Sequence, residues 1–149
     1  MAHARLTIEQ LDELATYLTQ LPDQLAREAE AIVAEAAMST EIDLLTAYPS
    51  TPVHQAGEIP LRAGVSVAVH TAALHPSAEV RSMSEVAALW EFGTQVRFTA
   101  QGWRRGAGPA HKNQGLVTIA RKYRNLMKYK LIVLCASAGL RVSGTSETP

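Results

Sequence analysis

A helical period runs almost unbroken through the first third of this chain and decides much of its architecture. Ile8, Leu11, Leu14, Ala15, Leu18 and Leu21 recur at three- and four-residue spacing, and Leu25, Ala29, Ile32, Val33, Ala36 and Ala37 continue the stripe. Apolar residues so spaced share one helix face, which must be buried against another element. Glu28, Glu30 and Glu35 fall mostly off the stripe, and the alanine content favours helix. Thr7 and Gln10 fit a capping box at the start. Pro22 lacks an amide hydrogen and predicts a break or kink there, while suiting the first turn of a following helix. The spacing predicts one long or broken helical region from about Ile8 to about Ala47.

Beyond it the period changes. Pro49, Pro52, Gly57 and Pro60 mark a loop. In Leu61 to Ala72, Val65, Val67 and Val69 alternate with Ser66, Ala68 and His70, the period of a strand. His75-Pro76-Ser77 predicts a turn and Val80 to Ser84 a second strand. Val86 to Thr94 reads as a third, with Leu89 and Glu91 pointing one way and Trp90 and Phe92 the other. The three would pair as an antiparallel meander with Trp90 and Phe92 on its core face, ended by Gly93. Gln95 to Gly115 has little periodicity and holds Gly102, Gly106, Gly108 and Gly115. Helical spacing returns with Ile119, Tyr123, Leu126 and Met127, and Gly139 is a plausible stop. Leu131 to Ser137 reads as helix or strand, because its apolar run carries no period. The expected fold is α+β: a long N-terminal helical region and a C-terminal helix packed on a small antiparallel sheet. At 149 residues it is expected to form a single domain, 1–149, with a basic loop at about 95–115.

The zero net charge conceals a split. Residues 1–60 hold ten acids and two bases, and residues 61–149 hold twelve bases and four acids. Between Phe92 and Ser146 there is no acid at all. Either the halves attract each other or they meet different partners.

Catalytic chemistry finds little to work with, and the chain is expected not to be an enzyme and to hold no cofactor or metal. The five histidines show no pair four apart and no zincin glutamate; His70 and His75 approach across a turn but read as an exposed pair. Gly106-Ala107-Gly108-Pro109 lacks the Gly-Lys-Ser/Thr ending of a phosphate loop, and Pro109 removes an amide. The single cysteine, Cys135, follows Leu131-Ile132-Val133-Leu134 and reads as an inert buried thiol. The apolar run Leu131 to Ala136 is far short of the roughly 20 residues of a spanning helix, and Glu9, Asp12 and Glu13 predict no secretory signal.

Binding features are stronger. Arg97, Arg104, Arg105, Lys112, Arg121, Lys122, Arg124, Lys128, Lys130 and Arg141 are interleaved with Phe98, Trp103, Tyr123 and Tyr129. Such a surface suits nucleic-acid phosphates and base stacking, or an acidic protein face such as the N-terminal helix of a neighbouring copy. Trp103, Arg104 and Arg105, with Arg97 and Lys112, are candidate interface anchors, since Trp and Arg are enriched among binding hot spots.

The segment Ala87-Ala88-Leu89-Trp90-Glu91-Phe92-Gly93-Thr94 resembles a signature of tailed-bacteriophage neck, or head–tail joining, proteins (tail completion, minor tail component). In that family a long helix, a Pro/Gly loop and a strand opening with Leu-Arg precede a strand ending aromatic-Glu-Phe-Gly-Thr. Leu61-Arg62-Ala63-Gly64-Val65 is similar to that strand opening, though Ile59-Pro60 replaces the usual Thr-Gly. The basic run Gln95 to Gln114 stands where the family has a proline-rich, phenylalanine-containing stretch. The resemblance implies a structural virion protein, assembled in the host cytoplasm. It would form a homo-oligomeric ring at the head–tail junction, between the head-closure (adaptor) protein and the tail terminator or tail tube. Such a ring encircles DNA, with direct DNA contact left open, and needs no membrane. Trp90, Glu91, Phe92, Gly93 and Thr94 would be the structural motif residues. The alternative reading is a small nucleic-acid-binding module using the basic 97–130 region.

Overall fold

The computed structural model describes residues 2–6, 12–48, 59–70, 76–84, 86–92, 97–98, 104–105 and 115–142. These form β1 (Ala2–Leu6), α1 (Asp12–Thr19), α2 (Asp23–Ala47), β2 (Val65–His70) and β3 (Ser77–Ser82), followed by α3 (Ala87–Phe92), β4 (Arg97–Phe98), β5 (Arg104–Arg105) and α4 (Leu116–Ser137). The fold is α+β, with the helices against an antiparallel sheet of order β1-β3-β2. The capping-box residues Thr7 and Gln10 lie outside the described residues.

The N-terminal helical region is broken where proline predicts it. α1 ends at Thr19, and α2 starts just after Pro22 and runs to Ala47. Its buried face is Ala29, Val33, Ala36, Ala37, Thr40 and Leu44, whose small residues let neighbours approach closely. α4 buries Leu116, Ile119, Ala120, Met127, Leu131, Leu134 and Cys135 at helical spacing. Leu131 to Ser137 is therefore helix: the apolar run that lacks a period by itself continues the stripe begun at Ile119. At its end Gly139 has φ +81°, and the Leu140 amide donates to the Cys135 carbonyl at 2.9 Å and the Gly139 amide to that of Ala136 at 3.0 Å. This double closure satisfies the last carbonyls and needs a residue free to adopt positive φ.

α2 and α4 run antiparallel, because Asp43 meets Tyr123 while Glu35 meets Lys130. α2 packs over β2 and β3, and α4 over β1. Sheet register sets Leu6, Ala78 and Val69 in one row, and Ala4, Val80 and Val67 in the next. In these rows Leu6, Ala78 and Val80 are buried in the core, while Arg5 and Arg81 sit exposed at alternate positions. Where β2 begins, Gly64 lies so close to β3's end that an added Cβ would come within 2.8 Å of the Ser84 nitrogen.

Two expectations for the sheet need correction. β2 starts at Val65, and Leu61 to Gly64 is a turn tied by the Gly64 amide to the Pro60 carbonyl, so Leu-Arg precedes the strand. The third strand is β1, not Val86 to Thr94. Ala87–Phe92 is helical: the Ser84 side chain accepts the Val86 amide at 3.2 Å, and the Trp90 amide reaches the Val86 carbonyl at 2.9 Å. Ala87-Ala88-Leu89 are strong helix formers, and a serine three residues ahead offers the cap that an alternating pattern does not reveal.

Candidate functional site at the root of the basic segment

The residues singled out by motif converge on one junction. Glu91 is 8% exposed, and its carboxylate accepts the Leu116 amide at 2.7 Å and the Val117 amide at 2.9 Å. These are the first two amides of α4, which has Gly115 at its N-cap and no cap from a neighbouring side chain. Free amides at a helix start carry partial positive charge and favour an anion. Glu91 supplies it from 25 positions upstream. The carboxylate thus ties the end of α3 to the beginning of α4, joining the two ends of the glycine-rich, basic stretch between them.

The flanking aromatics divide. Trp90 is half-buried and meets Tyr48 edge-on, with ring centroids 5.8 Å apart and planes at 82°. Tyr48 is fully buried, donates its hydroxyl to Ser82 Oγ at 3.0 Å, and accepts Arg62 Nε on its carbonyl at 2.6 Å. Burial, with the charge of Glu91, pushes its phenol above the ordinary value, and the Ser82 bond opposes that rise. Arg62, at the Leu-Arg position, thereby fixes the end of α2. Phe92 corrects the expectation of a core residue: it is 69% exposed. On a helix, the residue after a buried Glu91 turns outward; on a strand, Trp90 and Phe92 would have shared a face. Val117, beside the Glu91 contact, is also exposed, as is Val86 ahead of α3.

The other predicted site residues lie mostly in the basic stretch. β4 and β5 pair antiparallel, with Arg97 opposite Arg105 and Phe98 opposite Arg104. Gly93, Thr94, Trp103 and Lys112 lie outside the described residues, as do His75 and His111.

The charge split is met within the chain. Tyr123 donates to Asp43 at 2.6 Å, Lys122 comes within 3.8 Å of the same carboxylate, and Lys130 bonds Glu35 at 3.3 Å. Acids of α2 therefore face bases of α4 along one seam. The Asp43 bond, then burial, raises the Tyr123 phenol. Lys128 is lowered by burial and by Arg124. A groove of about 100 Å³ opens in that seam, lined by Ile32, Ala36, Ser39, Tyr123, Leu126 and Met127. Ligand pockets run roughly 300–1,000 Å³, so this one suits no substrate of ordinary size. Cys135 is buried, and burial raises its thiol, as expected of an inert one.

Among the described residues no three of His, Cys, Asp and Glu gather as a metal site, and no helix is long and apolar enough to cross a membrane. Comparison with known proteins returns no matching family model, no matching curated protein and no matching solved structure.

Proposed function

We propose that this chain is a non-enzymatic structural subunit of a ring at the head–tail junction of a tailed bacteriophage, contacting head-closure and tail-terminator components. The observation that carries the reading is the placement of Glu91. In the Trp90-Glu91-Phe92-Gly93-Thr94 motif the acid is buried and caps α4, so Glu91 acts as a structural joint between α3 and α4, the elements that flank the basic stretch. A structural motif of this kind fits a scaffold protein better than a reaction centre.

Asp43 and Glu35 of α2 meet Lys122 and Lys130 of α4 within one copy, so these four charges are not the ones that would join one copy to the next. The segment 93–114 holds four bases, Arg97, Arg104, Arg105 and Lys112, and no acid. There the register sets Arg97 opposite Arg105. The exposed Phe92 at the base of the segment offers an apolar anchor beside it.

Imaging of purified protein and of virions tests the reading. Closed rings of uniform symmetry, and the chain at the neck of the particle, are expected. A dispersed monomer absent from particles overturns it. A nucleic-acid module using 97–130 would instead show DNA affinity falling steeply with salt, near one logarithmic unit per phosphate neutralised. Lys122 and Lys130 are engaged with Asp43 and Glu35, which leaves that module fewer free cations.

A further inference from the structure

The seam between α2 and α4 uses only part of the charge those helices carry. α2 has six acids and one base, and α4 has five bases and no acid. With Glu35, Asp43, Lys122 and Lys130 engaged, α2 keeps four acids beside Arg27, and α4 keeps Arg121, Arg124 and Lys128. Among the described residues none of these three bases pairs with an acid, and neither Glu30 nor Glu41 pairs with a base. Burial, then the like charge of Arg124, holds the Lys128 ammonium below its ordinary value.

What remains lies on opposite sides of the helix layer. Tyr123, Leu126 and Lys130 line the side of α4 turned to α2. Arg121, Arg124 and Lys128, three and four residues apart, share one stripe on its other flank. On α2, Ile32, Glu35, Ser39 and Asp43 turn toward α4, and Glu30, Ala34 and Glu41 fall on the flank away from it. The sheet runs β1-β3-β2, with α4 over β1 and α2 over β2 and β3. One outer side of the layer is therefore basic and the other acidic.

We propose that the Arg121, Arg124 and Lys128 stripe of one copy receives Glu41 from α2 of the next copy, head to tail, so that the helix layer continues from subunit to subunit. The inference rests on the ring reading and names the contact that closes the ring: two unlike faces of each copy, as a heterologous interface requires. Heights along the helices agree. Within one copy Asp43 meets Tyr123 and Glu35 meets Lys130, so Glu41, two positions before Asp43, stands level with Asn125, between Arg124 and Lys128. Rotation about a ring axis that runs along the helices keeps every copy at one height, and brings the next Glu41 to the middle of the stripe. Met38, 58% exposed and one turn from Glu41, comes level with Lys128 and can cover its aliphatic stem. α1 packs against the far end of α4, where Cys135 acts on Tyr17, so the contact takes the first half of α4 and the second half of α2. A nucleic acid would answer the basic stripe alone. A second copy answers both flanks at once, in a chain whose net charge is zero.

The test reverses the charges in the full chain. Glu41→Lys alone, and Arg121→Glu with Lys128→Glu, are each expected to move self-association to at least about tenfold higher concentration in sedimentation, with circular dichroism unchanged. All three substitutions together should restore it. Glu41→Cys with Asn125→Cys adds a geometric readout. Within one copy these positions lie on opposite sides of the helix layer, too far apart for a short bismaleimide, so the reagent joins neighbours only. Cys135 is buried and does not compete. A covalent ladder running past the dimer is expected, because a head-to-tail contact repeats, whereas a two-fold contact stops at two copies. Rings that withstand both reversals, reversals that the combination does not rescue, or rings that give no ladder overturn this contact and leave the ring reading standing. A chain monomeric at every concentration overturns both. Duplex DNA bound by the unmodified chain and released by Arg121→Glu with Lys128→Glu, while assembly is unchanged, also overturns the contact, since the stripe then serves a nucleic acid.

Discussion

The two long helices begin in different ways. α2 starts beside Pro22, whose missing amide is no loss at a helix start, with Asp23 in its first turn. α4 starts at Gly115 with neither device and takes its capping charge from Glu91. One start is written locally; the other exists only once the chain has folded back on itself. Local signals hold a helix's register without help, whereas a borrowed cap makes the start of α4 conditional on α3.

The contrast can be broken outright by opening the seam the two helices share. Met127→Ala, at a fully buried position lining that seam, is expected to cost about 2–5 kcal/mol in denaturant unfolding. Amides of α2 and α4 should lose protection together; loss confined to α4 would show that the helices are not one cooperative body. Glu91→Ala sharpens the contrast, because it leaves two amides without their acceptor and should cost roughly 1–3 kcal/mol. Hydrogen exchange should speed at Leu116 and Val117 while the first turn of α2 is unchanged. Equal acceleration at both starts would contradict the assignment. Gly139→Ala probes the other end of α4, where positive φ disfavours a side chain, and about 1 kcal/mol should be lost.

Alkaline titration separates the buried elements from the exposed ones. Tyr48, Tyr123 and Cys135 all hold their protons above the ordinary values in the folded chain. The unfolded chain releases them first, so stability is full below the ordinary cysteine and tyrosine values of about 8.5 and 10 and falls as pH rises beyond them. Lys128, shifted down, works in the opposite sense as pH approaches the ordinary lysine value. Tyr48→Phe should flatten the decline and cost about 1 kcal/mol at neutral pH, since Ser82 loses its partner. An unchanged slope would remove Tyr48 from the account. The smallest effect belongs to Lys130→Ala: its bond to Glu35 is solvent-exposed, and roughly a few tenths of a kcal/mol is expected, vanishing in salt.

What could be read in the amino acids follows the same division. The stripes of α2 and α4, the break at Pro22, the alternating valines of β2 and the stop at Gly139 are all short-range signals, and each is where it was expected. β1 was not legible, because Ala2-His3-Ala4-Arg5-Leu6 has little strand preference and becomes a strand by pairing with β3. α3 was misread because Leu89 to Phe92 satisfies both periods, and the deciding cap, Ser84, lies ahead of the pattern. The charge split was plain, but its resolution between Asp43 and Tyr123 spans 80 positions. Glu91 stood out through its motif neighbours, and nothing in its surroundings announced that it would hold a helix 25 positions away.

The clasp between Glu91 and Leu116 also makes the stretch from 93 to 114 a replaceable cassette. Glu91 and Leu116, which flank it, are held a hydrogen bond apart, and doubling such an insert costs only about 0.6 kcal/mol in closure entropy. Lineages could therefore exchange this piece wholesale, longer or shorter, acidic or basic, and fit new neighbours while the scaffold beneath stays as it is.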